Sequence, residues 1–251
     1  MSSNENAKAN PKKLGKLRGC ALILFGFSII ILIFGIISGK KEDGQGEQVK
    51  KDSEGEFTDS RDGRKYKAVK IGSQTWIAEN LNYDMPGSKC YDNNPDNCNK
   101  YGRLYDWEMA MKACPNGWHL PSNKEWAFLY RFADGTSGTD SFYESPTAGK
   151  YLKATSGWTD YNGNPAGNGE DKFGFSALPG GGFSATVAFD GIGRYGTWWS
   201  SSENDTLSTY AYCQSIKSDF GQKLSDNGEG TDWGHDQKTK SLYSVRCVKD
   251  N

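Results

Sequence analysis

The stretch from residue 114 to residue 126 reads CPNGWHLPSNKEW and organises the helical part of the chain. Pro115 and Gly117 are typical of the end of a helix, and Ser122 stands where a second helix would begin. Ser122 and Glu125 have the spacing of a capping box, in which each side chain accepts a hydrogen bond from a free backbone N–H of the first turn. The stretch therefore predicts two helices joined by a short turn.

Apolar residues on either side of this turn have helical spacing. Residues three, four or seven apart lie on one face of a helix, so such a set predicts a buried stripe. The stripe of the first helix is Leu104, Trp107 and Met111, and that of the second is Trp126, Leu129 and either Phe132 or Ala133.

The remaining pattern is one of short strands separated by turns. Lys65–Ile71 alternates polar and apolar residues, as a half-buried strand does, and a Gly-Ser turn leads into a hairpin partner at Gln74–Asn80. Later segments predict a third helix and four more strands: Ala148–Ala154, then Phe173–Leu178, Gly196–Ser202, Thr209–Ile216 and Leu242–Lys249. Helices grouped ahead of strands predict an α+β domain with two main helices and an antiparallel sheet.

The cysteines predict disulfide bonds and an oxidising compartment. Cys90 and Cys98 bracket a short loop. Cys114 ends the first helix and Cys247 lies in the last strand, which we expect near the first strand because the ends of compact domains often lie close together. We therefore expect Cys90 to pair with Cys98 and Cys114 to pair with Cys247. Cys213 is then left free. A zinc site is the competing interpretation, but the sequence has no C-x2-C pair.

A membrane anchor is predicted near the N-terminus. The twenty residues 20–39 carry no charge and reach about 30 Å as a helix, the thickness of the bilayer hydrocarbon. We expect an uncleaved signal-anchor, with a cleaved signal peptide as the alternative. Residues 1–19 carry five basic side chains and one acid, which favours a cytoplasmic tail. The interpretation assigns residues 40–56 to a flexible charged linker and 57–251 to one extracytoplasmic domain, in the periplasm or at the cell surface.

Charge and motifs argue against several functions. The chain has 30 basic and 31 acidic residues, so no net field favours nucleic acid as a partner. No catalytic constellation is found, and His119 is interpreted as a structural residue because no nucleophile stands beside it. We therefore expect a protein that is not an enzyme.

Five aromatic residues are candidates for ligand contact because they lie in Gly- and Asn-rich contexts. Such side chains suit stacking on sugar rings or anchoring a protein interface. Neighbours on a strand point to opposite faces, so we expect Trp198 to face solvent and Trp199 to face the core. The alternative is that a glycine-rich domain fills its core with large rings. The candidates are Trp158, Tyr161, Tyr195, Trp198 and Trp233.

Calcium is the cofactor for which the sequence offers candidate ligands. The stretch NGNPAGNGED at residues 162–171 is rich in oxygen ligands, and its candidates are Asn162, Asn164, Glu170 and Asp171. Asn, Asp and Gly are also common turn residues, so turn chemistry is the competing interpretation. No other metal or cofactor is expected.

Six short sequence blocks, in order, are distributed over essentially the whole span of residues 57–251. They read FTDSRDGRKYKAVKIGSQTWIAENLNY, YGRLYDW, CPNGWHLPSNKEW, FGFSALPGGG, WSSSE and SVRCVKD. Together they resemble the Fibrobacter succinogenes major paralogous domain. The resemblance implies a C-type lectin-like fold, distantly related to the sulfatase-modifying factor group, and implies no established activity.

The reactive cysteine pair of the sulfatase-modifying relatives has no counterpart here, because Cys213 and Cys247 are far apart in the sequence. We expect a membrane-anchored, non-catalytic binding module of the bacterial cell envelope, with polysaccharide or an envelope protein as its partner. An enzyme on the same scaffold and a structural protein without a ligand are the alternatives.

Overall fold

The computed structural model describes residues 55–160, 163, 165, 167–218 and 231–250. The predicted tail 1–19, the predicted membrane helix 20–39 and most of the linker 40–56 lie outside the described residues, as do Tyr161, Asn162 and Asn164. Within the described ranges, no helix is long and apolar enough to cross a membrane.

The described chain has a mixed α+β architecture, which confirms the predicted fold class at that level. Its helices are α1 Pro95–Tyr101, α2 Trp107–Ala113, α3 Asn123–Asp134 and α4 Ala148–Leu152. Its strands are β1 Gly55–Thr58, β2 Lys65–Ile71, β3 Gln74–Ile77, β4 Trp118–His119, β5 Gly180–Ser184, β6 Ala188–Ile192, β7 Tyr195–Glu203, β8 Tyr210–Lys217, β9 Thr231–Gln237, β10 Ser241–Leu242 and β11 Val248–Lys249.

These strands form two sheets. The first has the order β1-β2-β3-β11-β4, so the last strand of the chain lies between two early ones, as expected. The second has the order β10-β5-β7-β8-β9, with β6 added to β5 as a hairpin. Neighbouring strands are antiparallel apart from β5 and β7, which pair in parallel through Gly181 and Gly196.

Helix α3 begins and ends as the sequence predicts. Ser122 and Glu125 form the complete capping box, and Gly135 ends the helix in the left-handed conformation with φ of 77°. Of the two alternatives for the buried stripe, Ala133 is buried and Phe132 is 41 % exposed. The helix therefore packs on both sheets, since Trp126 contacts Trp76 of β3 and Trp198 of β7.

Helix α2 differs from its prediction. It begins at Trp107 because the Asp106 carboxylate accepts a hydrogen bond from the Met109 N–H and caps the first turn. Leu104 precedes the helix, and Met111 is 44 % exposed. The predicted stripe of Leu104, Trp107 and Met111 is thus wrong in two of its three residues.

Two predicted strands were also wrong. The segment 173–178 is irregular, because the buried Arg246 guanidinium donates hydrogen bonds to the Phe175 and Ser176 carbonyls at 2.6 and 2.8 Å. The predicted strand Leu242–Lys249 is divided into β10 and β11. Helix α1 and strands β1, β4, β5, β6 and β9 were not predicted, because they are short or because glycines and polar residues obscure their periodicity.

Both predicted disulfides are confirmed. Cys90 pairs with Cys98 and Cys114 with Cys247, with Cα–Cα distances of 4.9 and 5.8 Å, and Cys213 is free and buried. The second bond joins the end of α2 to the residue before β11. It therefore ties the helical segment to the first sheet.

Candidate functional site

The structure separates the five aromatic candidates. Trp158 and Trp198 are fully buried, so the expectation that Trp198 faces solvent is wrong. Tyr161 lies outside the described residues. Tyr195 lines a surface pocket, and Trp233 is half-buried on the edge strand β9.

Trp198 is buried because the central part of the second sheet is covered on both faces. Trp198 and Trp199 do point to opposite faces, but each enters a separate apolar cluster. Trp198 packs on Trp126 of α3, and its Nε1–H donates to Asn80 Oδ1 at 2.9 Å. Trp199 packs on Tyr243, with ring centroids 4.8 Å apart. Neither ring can contact a ligand without unpacking a core.

A pocket of about 230 Å³ opens beside β5, β6 and β7. Its lining combines aromatic rings, carboxylates, hydroxyl groups and glycine backbone. The side chains that define it are Phe183, Asp190, Tyr195, Thr197, Asp236 and Tyr243. We call it the Tyr195 pocket.

Glycines bring two aromatic rings against the strand backbone. A Cβ atom at Gly182 would lie 2.6 Å from the Tyr243 ring, so any larger residue there would push this ring away. Gly191 has φ of 85°, and a Cβ atom there would overlap the Tyr195 ring. The glycine-rich sequence of this region is therefore what shapes the pocket.

The pocket lining carries two carboxylates, Asp236 and Asp190. The Tyr243 hydroxyl donates to Asp236 Oδ2 at 2.6 Å. Burial raises the pKa of the Tyr243 phenol well above its ordinary value, and the hydrogen bond to the Asp236 carboxylate adds to this shift, so the phenol stays neutral. Asp190, which lies on β6, forms an ion pair with Arg194 with an N–O distance of 2.9 Å.

A second surface feature lies on β8 and β9. Five pairwise contacts with centroid distances of 4.7 to 6.3 Å link four rings of these strands and Phe142, which lies between α3 and α4. The rings are Phe142, Tyr210, Tyr212, Trp233 and His235. We call this group the β9 aromatic strip. Interplanar angles of 45–85° show that the rings are tilted against each other and do not form one flat platform.

The remaining titratable candidates are held by structural contacts. His119 lies between two carboxylates, with Nε2 2.8 Å from Glu125 and Nδ1 2.6 Å from Asp250. Burial raises the pKa of the Cys213 thiol to about 12, so it carries no thiolate at neutral pH.

The calcium candidates that the structure describes have protein partners. Asp171 accepts hydrogen bonds from the Ser176 N–H and hydroxyl, and Glu170 pairs with Lys150 at 3.6 Å. Among the described residues, no group of three or more His, Cys, Asp or Glu side chains is placed to hold a metal ion.

Sequence reasoning found Tyr195 and missed most of the pocket. Phe183, Asp190 and Asp236 come from three strands that were not predicted, and Tyr243 was assigned to a continuous strand. The available signal was the run Pro179–Gly182, since consecutive glycines inside a strand mark a close approach of other groups to the backbone.

Comparison with known proteins agrees with the sequence blocks. No curated protein and no solved structure matches the chain. The model of the Fibrobacter succinogenes major domain matches residues 69–249, a span that includes α1 to α4, both disulfides and the Tyr195 pocket. The match covers well over half of the chain, and the chain therefore belongs to the Fibrobacter succinogenes major domain family.

Proposed function

We propose that this protein is a non-catalytic carbohydrate-binding module of the bacterial envelope that binds its ligand in the Tyr195 pocket. In this proposal the domain has a C-type lectin-like fold, and residues 20–39 anchor it in the membrane with the domain on the extracytoplasmic side. An enzyme and a ligand-free structural protein remain the alternatives.

The lining of the pocket carries the proposal. A sugar has apolar C–H faces and a rim of hydroxyl groups, so its sites combine aromatic rings with hydrogen-bond acceptors. Tyr195 and Phe183 offer the rings, and Asp190 and Asp236 offer carboxylates that accept hydrogen bonds from hydroxyls. Gly182 lets the Tyr243 ring lie directly against the strand backbone, so this ring and the glycine backbone together form one wall of the pocket.

The size of the pocket points to a short ligand segment. Pockets for drug-sized ligands have volumes of about 300–1,000 Å³. A volume of about 230 Å³ suits one sugar residue, such as the end of a polysaccharide or one unit of it. The absence of a reactive thiolate at Cys213 supports a binding role over the chemistry of the sulfatase-modifying relatives.

A glycan array with the full-length chain in detergent tests the proposal. We expect a defined set of glycans to bind, and we expect Tyr195→Ala to weaken that binding at least tenfold with an unchanged melting temperature. Trp233→Ala is the matched control, because Trp233 is also half-buried but lies in the β9 aromatic strip. Failure of every glycan to bind would refute the proposal, and loss of binding in Trp233→Ala alone would move the site to the strip.

The topology needs its own test. A reporter that requires an oxidising compartment, fused after Asn251, should be active, and the protein should stay in the membrane fraction. Activity of a cytoplasmic reporter in the same fusion would contradict the proposed orientation. A soluble product that begins near Lys40 would show a cleaved signal peptide.

A further inference from the structure

The charged residues of the Tyr195 pocket indicate which charge its ligand carries. Its described lining residues include two carboxylates, Asp190 and Asp236, and no Lys, Arg or His. Two cations border this lining, since Lys89 Nζ lies 4.7 Å from the Phe183 ring centroid and Arg194 Cζ lies 5.2 Å from the Tyr195 ring centroid. A negatively charged group placed next to Asp236 would still meet like charge, which disfavours its binding. The part of the pocket next to Asp236 therefore suits a neutral or cationic group.

The two carboxylates are not equivalent. Asp190 is 57 % exposed, and the Arg194 guanidinium 2.9 Å away compensates its charge. Asp236 is half-buried and accepts hydrogen bonds from the Tyr243 hydroxyl and the Gln237 N–H, which are both neutral. Among the described residues, no basic side chain forms an ion pair with Asp236. Its negative charge is thus available to a ligand.

We propose that the Tyr195 pocket selects a sugar residue with a free amino group, whose ammonium pairs with the Asp236 carboxylate while the sugar ring packs on Tyr195. This inference rests on the proposed carbohydrate-binding function and names the sugar class. An ammonium has three donors, and hydrogen bonds between charged groups are about twice as strong as neutral ones. Asp190, already paired with Arg194, then accepts hydroxyl hydrogen bonds.

Three oligosaccharides of equal length and linkage separate this inference from the function on which it rests. They are a β-1,4-glucosamine hexamer, its fully N-acetylated counterpart and a β-1,4-glucose hexamer, titrated by calorimetry against the full-length chain at pH 6. Acetylation removes the positive charge and keeps the sugar ring. We expect the glucosamine hexamer to bind at least tenfold more tightly than either neutral hexamer.

Variants then assign the preference to one carboxylate. Asp236→Asn should abolish the preference for the glucosamine hexamer and leave the affinity for the glucose hexamer within about twofold of wild type. Asp140→Asn is the matched control, since Asp140 is 85 % exposed and outside the pocket lining. Because Asp236 also holds Tyr243, the melting temperature of Asp236→Asn is measured alongside, and the comparison of the three hexamers on the wild-type chain stands whether or not this variant folds.

Each outcome has one meaning. Equal binding of the three hexamers, or tighter binding of a neutral one, overturns the inference and leaves the proposed function intact. An equal loss in Asp140→Asn and Asp236→Asn also overturns it, because the attraction is then a property of the whole surface. If none of the hexamers binds and no glycan binds on the array, the function and the inference fail together.

Discussion

At the scale of single residues, the fate of an aromatic side chain depends on which surface covers it. Trp198 and Trp199 are adjacent in β7 and both are fully buried, each in a different core. Both indoles also donate a hydrogen bond, Trp198 to Asn80 and Trp199 to the Tyr105 carbonyl at 2.8 Å. Each ring is therefore part of a hydrophobic core and has no exposed surface that a ligand could contact.

Truncation of either tryptophan should destabilise the domain. We expect Trp198→Ala and Trp199→Ala each to lower the free energy of unfolding by ~3–5 kcal/mol, because each leaves a large cavity. Denaturant unfolding followed by circular dichroism measures both. Trp233→Ala is the control and should cost clearly less, since that side chain is half-buried. A wild-type unfolding curve for Trp198→Ala would contradict the burial described here.

Tyr130 in α3 offers a test in the opposite direction. Its hydroxyl is buried and has no hydrogen-bond partner among the residues that the structure describes, which costs free energy because the group has lost its water. Tyr130→Phe removes the hydroxyl and keeps the ring, so we expect stability to stay unchanged or to rise by about 1 kcal/mol.

The control for this variant is Tyr105→Phe. The Tyr105 hydroxyl donates to the Tyr83 carbonyl at 2.7 Å, so its removal should destabilise the domain by about 1 kcal/mol and leave a carbonyl unpaired. The two variants remove the same atom from buried rings. A loss of stability in Tyr130→Phe equal to that in Tyr105→Phe would show that the Tyr130 hydroxyl has a partner.

At the scale of elements, one histidine joins three segments. His119 in β4 contacts Glu125 in α3 and Asp250 beyond β11, so one ring connects the capping box to the end of the first sheet. Glu125 Oε2 meanwhile accepts from the Ser122 N–H at 2.8 Å. Both ring nitrogens can donate to carboxylates only when the imidazole is protonated.

This arrangement predicts a pH-dependent stability. Burial of His119 lowers the pKa of its imidazole, but the hydrogen bonds to Asp250 and Glu125 have the larger effect. The pKa of His119 is therefore raised above 6.5. A raised pKa means that the contribution of His119 is complete below about pH 6.5 and is lost as the pH rises through the folded-state pKa. The difference in unfolding free energy between wild type and His119→Gln should therefore shrink from pH 5.5 to pH 9.

Urea unfolding at a series of pH values, always comparing the two proteins, isolates this contribution from other titrating groups. Asp250→Asn should show a smaller version of the same effect, since it removes one of the two carboxylates. If the difference in unfolding free energy between wild type and His119→Gln is constant or grows with pH, the predicted stabilisation by protonated His119 is contradicted.

At the scale of the whole molecule, the disulfides act over very different distances. Cys90–Cys98 closes a separation of 8 residues and Cys114–Cys247 one of 133. In the chain-entropy model a bond stabilises by restricting the unfolded chain, by ~5 kcal/mol for the long loop and ~2.5 kcal/mol for the short one. We expect Cys114→Ser to lower the unfolding free energy about twice as much as Cys90→Ser.

Denaturant unfolding of both variants without reductant measures this difference. A larger loss in Cys90→Ser would mean that native-state packing of α1 outweighs the loop entropy. Cys213→Ser serves as a control for the chemistry of the substitution, because Cys213 takes part in neither bond.

Much of the architecture could be read from local patterns. The capping box at Ser122 and Glu125, the alternation in Lys65–Ile71 and the bracketing of a short loop by Cys90 and Cys98 each involve residues close in sequence. Their physical causes act over one turn of helix or one strand, so no knowledge of the rest of the chain is needed. The six sequence blocks, found in order along residues 57–251, also predicted the family to which the chain belongs.

The sequence by itself therefore determined the α+β class, the disulfides and the family, together with the expectation of an N-terminal anchor. Tertiary structure alone decided which aromatic residues face solvent, because a side chain on a strand is exposed only if no other element packs on that face of the sheet. It also decided the Tyr195 pocket, since Asp190, Asp236 and Tyr243 meet there from β6, β9 and the residue after β10. Side chains that far apart in sequence become neighbours only when β5 pairs with β7 and β10 beneath them.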